Sequence, residues 1–143
     1  MTSLTWKNKF NMGFEAMDAQ RKKIFSCMTT ICHDIADKHF QCDSINGALD
    51  QLEILSQIYF LNEDQMMEDM NYPLAAEHKH QHDLFLATID RFKIDNSQCH
   101  TTSILNDFIK IREDFIAHML NEATMLSEFI NKSSNGDSAT AAH

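Results

Sequence analysis

The 143-residue chain has three glycines, one proline, one tryptophan and two tyrosines. So few Gly and Pro cannot supply the turn every roughly 8–12 residues that a β-sandwich or barrel demands, and low-complexity, collagen-like and disulfide-framework classes fall with them. No run of about 18 apolar residues occurs, so no membrane span is expected. The opening MTSLTWKNKF lacks the apolar core of a signal peptide, and the cytoplasm is the expected location. Basic residues are scarce: 12 Lys and Arg against 21 Asp and Glu give a formal charge of −9. Neither nucleic acid nor an anionic membrane surface is an expected partner, since both require a basic patch. There is no CxxC pair, and Cys27, Cys32, Cys42 and Cys99 read as reduced, mostly buried thiols.

What the chain does have is 43% hydrophobic residues and eight histidines. The hydrophobic residues fall at helical spacing in four stretches. The first runs Met17, Arg21, Ile24, Met28, Ile31, Ile35 and fades near Asp37, with His39 to Asp43 a loop. The second runs Ile45, Leu49, Leu52, Leu55, Tyr59, Glu63, Met66, Met70, and Asn71-Tyr72-Pro73 stops it. The third is Ala75, His78, His82, Phe85, Ile89, Phe92. A polar connection over Asp95 to Thr102 follows, with Thr102 or Ser103 as the helix cap. The fourth is Leu105, Phe108, Ile111, Phe115, His118, extended by Met125 and Phe129. Short connections force antiparallel neighbours, so the expected fold is an all-α, antiparallel up-down four-helix bundle. An N-terminal arm carrying Trp6, Phe10 and Phe14 completes a domain over residues 1–131, and 132–143 is expected to be a disordered tail.

Polar residues interrupt these stripes at particular places: Arg21, Tyr59, Glu63, His78, His82 and His118. Burying such groups unpaired costs several kcal/mol each, so a compensating partner is required. Two His at i and i+4 lie on one helix face and can share an ion, and a carboxylate and a third His from other helices complete four ligands. His80 points to another face, and His33, His39, His100 and His143 have no stripe partners. The alternative is a set of hydrogen-bonded core residues without metal, and spacing alone leaves both open.

Four segments then resemble the hemerythrin family. Met17-Asp18-Ala19-Gln20-Arg21-Lys22-Lys23-Ile24-Phe25 is similar to its I-D-x-Q-H-K-x-L-F motif. Tyr59-Phe60-Leu61-Asn62-Glu63-Asp64 with Met67 resembles H-F-x-x-E-E-x-x-M. Tyr72-Pro73 with His78 and His82 resembles Y-P-x-x-x-x-H-x-x-x-H. Phe115 to Ala123 around His118 resembles W-x-x-x-H-I-x-x-x-D. The spacings are those of bacterial members. The resemblance implies a two-iron site bridged by a Glu and an Asp. Its three-His iron maps onto His78, His82 and His118, and its bridging Glu onto Glu63. The two His of the other iron, where O2 binds in that family, map onto Arg21 and Tyr59, and the bridging Asp onto Ala123.

Every residue special to one iron is thus replaced while those of the other are retained. The expectation is one metal ion per chain, iron by resemblance or zinc by ligand type, held by His78, His82, His118 and Glu63. Arg21 then occupies the vacated half, and Tyr59 fills the former imidazole volume and bonds Glu63. Glu122, near the lost Asp, is a weaker stand-in. Such a site suits sensing of a small ligand (O2, NO or peroxide) or of redox state, with a separate effector protein, rather than reversible O2 carriage. The alternatives are a diiron oxygen-binding protein recruiting Tyr59 and Glu122, a mononuclear iron enzyme acting on O2 or peroxide, and a metal-free helical interaction module.

Overall fold

The structure is a computed structural model that describes the backbone of residues 15–37, 39–99 and 102–141, and side chains between 16 and 132 within those ranges. The arm with Trp6, Phe10 and Phe14, and also His100 and His143, lie outside the described residues. Four helices follow one another: α1 Glu15–Ala36, α2 Cys42–Asp69, α3 Ala75–Asp95 and α4 Ile104–Ala141. They form an antiparallel four-helix bundle with no strand among the described residues. No described helix is long and apolar enough to cross a membrane.

Each helix forms where its apolar stripe is continuous. Met17, Arg21, Ile24, Met28, Ile31 and Ile35 of α1 are all buried, as are Ile45, Leu49, Leu52, Tyr59 and Glu63 of α2. α2 ends in a Schellman motif: Asn71 adopts a left-handed φ of 54°, its N–H reaches the Glu68 carbonyl at 3.0 Å, and the Tyr72 N–H reaches that of Met67 at 2.9 Å. Tyr72 and Met67 then pack together with Ala123 and Leu126. This tight stop turns the chain so that α3 begins at Ala75 with His78 on its inner face. Ser103 precedes α4, but its hydroxyl bonds the Asp107 carboxylate at 2.8 Å rather than a backbone N–H.

The core has two unlike ends. Around Ile31, Ile35, Ile45, Leu49, Phe92 and Phe108 it is mainly apolar, its buried polar groups being Asn96, bonded to the Phe92 carbonyl, and Arg112, over the Phe25 ring. Toward the start of α1 and the end of α2 the same stripes bring in Arg21, Tyr59, Glu63, His78, His82 and Glu122, every one buried.

One expectation is corrected. Cys42 and Cys99 form a disulfide with Cα atoms 5.8 Å apart, tying the start of α2 to the connection before α4, while Cys27 and Cys32 are free. Their separation of 57 residues leaves no local motif, and only the antiparallel fold brings them together. Helix α4 runs to Ala141. A helix already nucleated by packed residues upstream can propagate through small polar residues that would not start one.

Candidate metal centre

His78 and His82 stand one turn apart on α3 and His118 faces them from α4, with ring centroids 5.9 Å (His78–His118) and 5.4 Å (His82–His118) apart. The carboxylate among these imidazoles is Glu122, one turn beyond His118. Its Oε2 lies 2.7 Å from His118 Nε2, 3.6 Å from His78 Nδ1 and 3.7 Å from His82 Nε2. One ligand atom from each of these four residues falls within 4.8 Å of all the others. Glu63 sits beside this group and touches His82, its Oε1 2.9 Å from His82 Nε2.

The register of α4 explains why Glu122 is central. Phe108, Ile111, Phe115, Met119, Glu122 and Leu126 are the buried stripe, at three- and four-residue spacing. The pattern followed through His118, Met125 and Phe129 drifts off the face that α4 actually buries. Counting on from Phe115 through Met119 would have placed a carboxylate in the core. Asp64 was also missed: its Oδ1 is 2.8 Å from His82 Nδ1, and the His82 ring stacks on Phe60 at 4.1 Å. The ring is thereby held with Nε2 turned inward, a support that metal-ligating imidazoles usually have.

The other half of the centre is differently made. Arg21 is fully buried. Its Nη1 donates to the Tyr59 hydroxyl at 2.8 Å and its Nη2 pairs with Asp18. Tyr59 in turn donates to Glu63 Oε2, which lies 3.8 Å from Arg21 Nη1. Ala123 offers no ligand and packs with Met67, Tyr72 and Leu126. Of the incidental histidines that are described, His33, His39 and His80 are exposed.

The electrostatics follow from this crowding. Burial raises the Glu63 carboxyl, and the nearby Glu122 raises it further, to about 8. Burial pushes Glu122 upward too, but the close approach of Glu63, His118, His78 and His82 outweighs it and holds Glu122 well below the usual carboxylate range. For His82, burial disfavours the charge, yet Glu122 and Glu63 overturn that and lift it to about 10. Burial, reinforced by the charges of Glu63 and Glu122, keeps the Tyr59 phenol well above its ordinary range, so it serves as a proton donor to Glu63.

Even so, His78 Nδ1, His82 Nε2, His118 Nε2, Glu63 Oε1 and both Glu122 oxygens are buried without an aligned hydrogen-bond partner. Leaving so many polar atoms unsatisfied is costly, and convergent donors of this kind are satisfied by a cation. Three imidazoles and a carboxylate are a ligand set that zinc and iron both accept. The residues present therefore fit a metal ion.

No protein-family model matches the chain. It is similar to the bacteriohemerythrin of Stenotrophomonas maltophilia, 23% identical over 94 residues, which are 66% of this chain and 60% of that protein. It is also similar to that of Clostridium acetobutylicum, 20% identical over 120 residues, 82% of this chain and 89% of that protein. Hemerythrin subunit 1 of Golfingia vulgaris is 28% identical over 96 residues, 67% of this chain and 76% of that protein. The chain thus spans about 60% of the length of the Stenotrophomonas and Pseudomonas relatives it matches. Fold and site together define a four-helix protein with a histidine–carboxylate centre in its core. More narrowly, the chain resembles the bacteriohemerythrins and hemerythrins and carries a cluster that could hold a metal ion.

Proposed function

We propose that this domain holds a single metal ion, iron in preference to zinc, and senses a small ligand such as O2, NO or peroxide rather than carrying O2 reversibly. His78, His82, His118 and Glu122 would hold the ion, with Glu63 Oε1 as a further donor, since Glu63 Oε2 is engaged by Tyr59 and Arg21. The observation that carries the reading is the asymmetry of the centre. Unpartnered donors converge on one side, and a buried guanidinium with its own hydrogen-bonded partners fills the other. A cation at the Arg21 position supplies the positive charge that a second metal would, and leaves no ligands for one.

An iron ion in the site would supply a redox couple and an open ligand position, whereas zinc would supply only a Lewis acid. This chain's own residues prepare the site. Asp64 orients His82, Tyr59 holds Glu63 by a proton, and Arg21 balances the Glu63 and Asp18 charges. Loading requires His82 to release its proton, so binding should liberate protons. The signal would pass to a separate effector protein. The diiron alternative is disfavoured because Tyr59 is already committed to Arg21 and Glu63. A metal-free module would leave the imidazole nitrogens and the Glu122 oxygens held by close ion pairs but without aligned hydrogen bonds.

Elemental analysis of untagged protein tests the reading: one equivalent per chain is expected, lost in His118→Ala. Two equivalents, or none, overturn it. The triple variant Arg21→His, Tyr59→His, Ala123→Asp should gain a second iron. A folded triple variant that stays at one would show that Arg21 does not stand in for a metal.

A further inference from the structure

Of the four neighbouring helix pairs, α3 and α4 pack least closely. A cavity of about 200 Å3 opens in that seam, with His82 and His118 on its wall together with Gln81, Phe85, Thr88 and Asp114. It adjoins a wider surface groove of about 830 Å3, with which it shares Leu84, Thr88, Ile111 and Asp114 as lining. His118 is the only member of the histidine–Glu122 cluster with appreciable exposure, its side chain 21% accessible, while its Nε2 is buried 2.7 Å from Glu122 Oε2 without an aligned hydrogen bond. The Arg21 half has no comparable opening among the described cavities, and Arg21, Tyr59 and Glu63 are each at most 1% exposed.

The geometry points to this seam as the route by which a small uncharged molecule from solvent reaches the metal, with Asp114 at its mouth turning anions away. The inference rests on the metal-centred reading above and specifies the ligand class and the door. Asp114 is exposed, one turn before His118 on α4, and is the one side chain of formal charge on the narrow cavity's wall besides the imidazoles. Behind it lies the Glu122 carboxylate. An anion therefore meets negative charge at the entrance and again inside, whereas a neutral diatomic or a peroxide meets neither penalty. Thr88, also exposed, stands across from Asp114 and hydrogen-bonds only its own helix, to the Leu84 carbonyl at 2.9 Å. It is the position where bulk would close the path without disturbing the core.

The test uses the iron-loaded protein and two probes, nitric oxide with the ferrous form and azide with the ferric form, followed by stopped-flow absorbance. Thr88→Trp should slow both probes at least roughly tenfold with metal content unchanged. Asp114→Asn should speed azide roughly two- to fivefold at low salt, an advantage that fades as salt screens the charge, and leave nitric oxide unaffected. Unchanged probe rates in loaded Thr88→Trp overturn the route, and unchanged azide rates in Asp114→Asn overturn the gate. A protein that takes up no metal refutes the metal-centred reading instead. The route is then read in that same protein by diethylpyrocarbonate labelling of His118, which Thr88→Trp should protect, and equal labelling in wild type and variant overturns it.

Discussion

The two halves of the polar centre sit within the same layer of the same bundle, yet they solve the burial of polar groups in opposite ways. On the Arg21 side the charges have partners supplied by the protein: Asp18, Tyr59 and Glu63 take up the guanidinium and one another. On the histidine side, imidazole nitrogens and carboxylate oxygens crowd together at ion-pair distance without aligned hydrogen bonds. In the first half the guanidinium is held by hydrogen bonds and ion pairs through both Nη atoms, with Nε alone unpartnered. In the second, several ligand atoms converge without aligned hydrogen bonds, a set that a cation could complete. The difference teaches that one layer of a bundle can bury positive charge on a side chain in one half while gathering possible metal ligands in the other.

That comparison can be broken first by stability. Arg21→Met should cost about 3–5 kcal/mol in urea unfolding, because it leaves Glu63 and Asp18 without their buried cation. By contrast His78→Leu in the metal-free protein should cost less than about 1 kcal/mol or stabilise it, since it removes a buried nitrogen whose only contact with Glu122 is a long one of 3.6 Å without a hydrogen bond. Equal losses for the two variants would erase the distinction between the halves.

A smaller effect is expected at Asp64. Asp64→Asn should weaken metal affinity about 10- to 100-fold in competition with a chelator, while leaving the unfolding midpoint of the metal-free protein nearly unchanged. An unchanged affinity would mean that His82 is oriented by packing on Phe60 alone.

The subtlest expectation concerns pH. In the metal-free fold His82 titrates at about 10, above its ordinary 6.5, and Glu63 at about 8, above its ordinary 4.5. The folded state therefore holds more protons than the unfolded state between those values. The His82 contribution is fully present below 6.5 and is lost as pH rises toward 10, and Glu63 adds a penalty that grows from 4.5 to 8. Thermal midpoints of metal-free protein should fall from pH 5.5 to 9.5, while metal affinity rises over the same range because the ligands must deprotonate. A metal-free midpoint that climbs with pH would contradict this.

Much of this was legible in the residues. The stripe from Met17 to Ile35 and the buried positions Ile45, Leu49, Leu52, Tyr59 and Glu63 of α2 and His78, His82, Ile89 and Phe92 of α3 follow the expected period, whereas Leu55, Met66 and Met70 are only partly buried and Ser56, Phe60 and Met67 take the inner face of α2. The replacements at Arg21, Tyr59 and Ala123 are visible in the chain as departures from a motif. Glu122 was undervalued because α4 carries two overlapping patterns. One runs through His118 and Phe129, the other through Met119 and Leu126, and periodicity does not say which face meets the other helices. Asp18 and Asp64 lie at the margins of their stripes, where a carboxylate on a helix usually faces water.

The chain by itself thus determined the number of helices, the apolar stripes and the selective replacement of one set of ligands, since these depend on short-range spacing. Tertiary structure decided the rest. It chose Glu122 as the carboxylate among the imidazoles, linked Arg21 to Glu63 through Tyr59, joined Cys42 to Cys99 across 57 residues and left the α3–α4 seam open. The physical reason is common to all four: helical periodicity constrains neighbours three and four residues apart, whereas contacts between helices depend on the relative rotation and closeness of whole cylinders, which only packing settles.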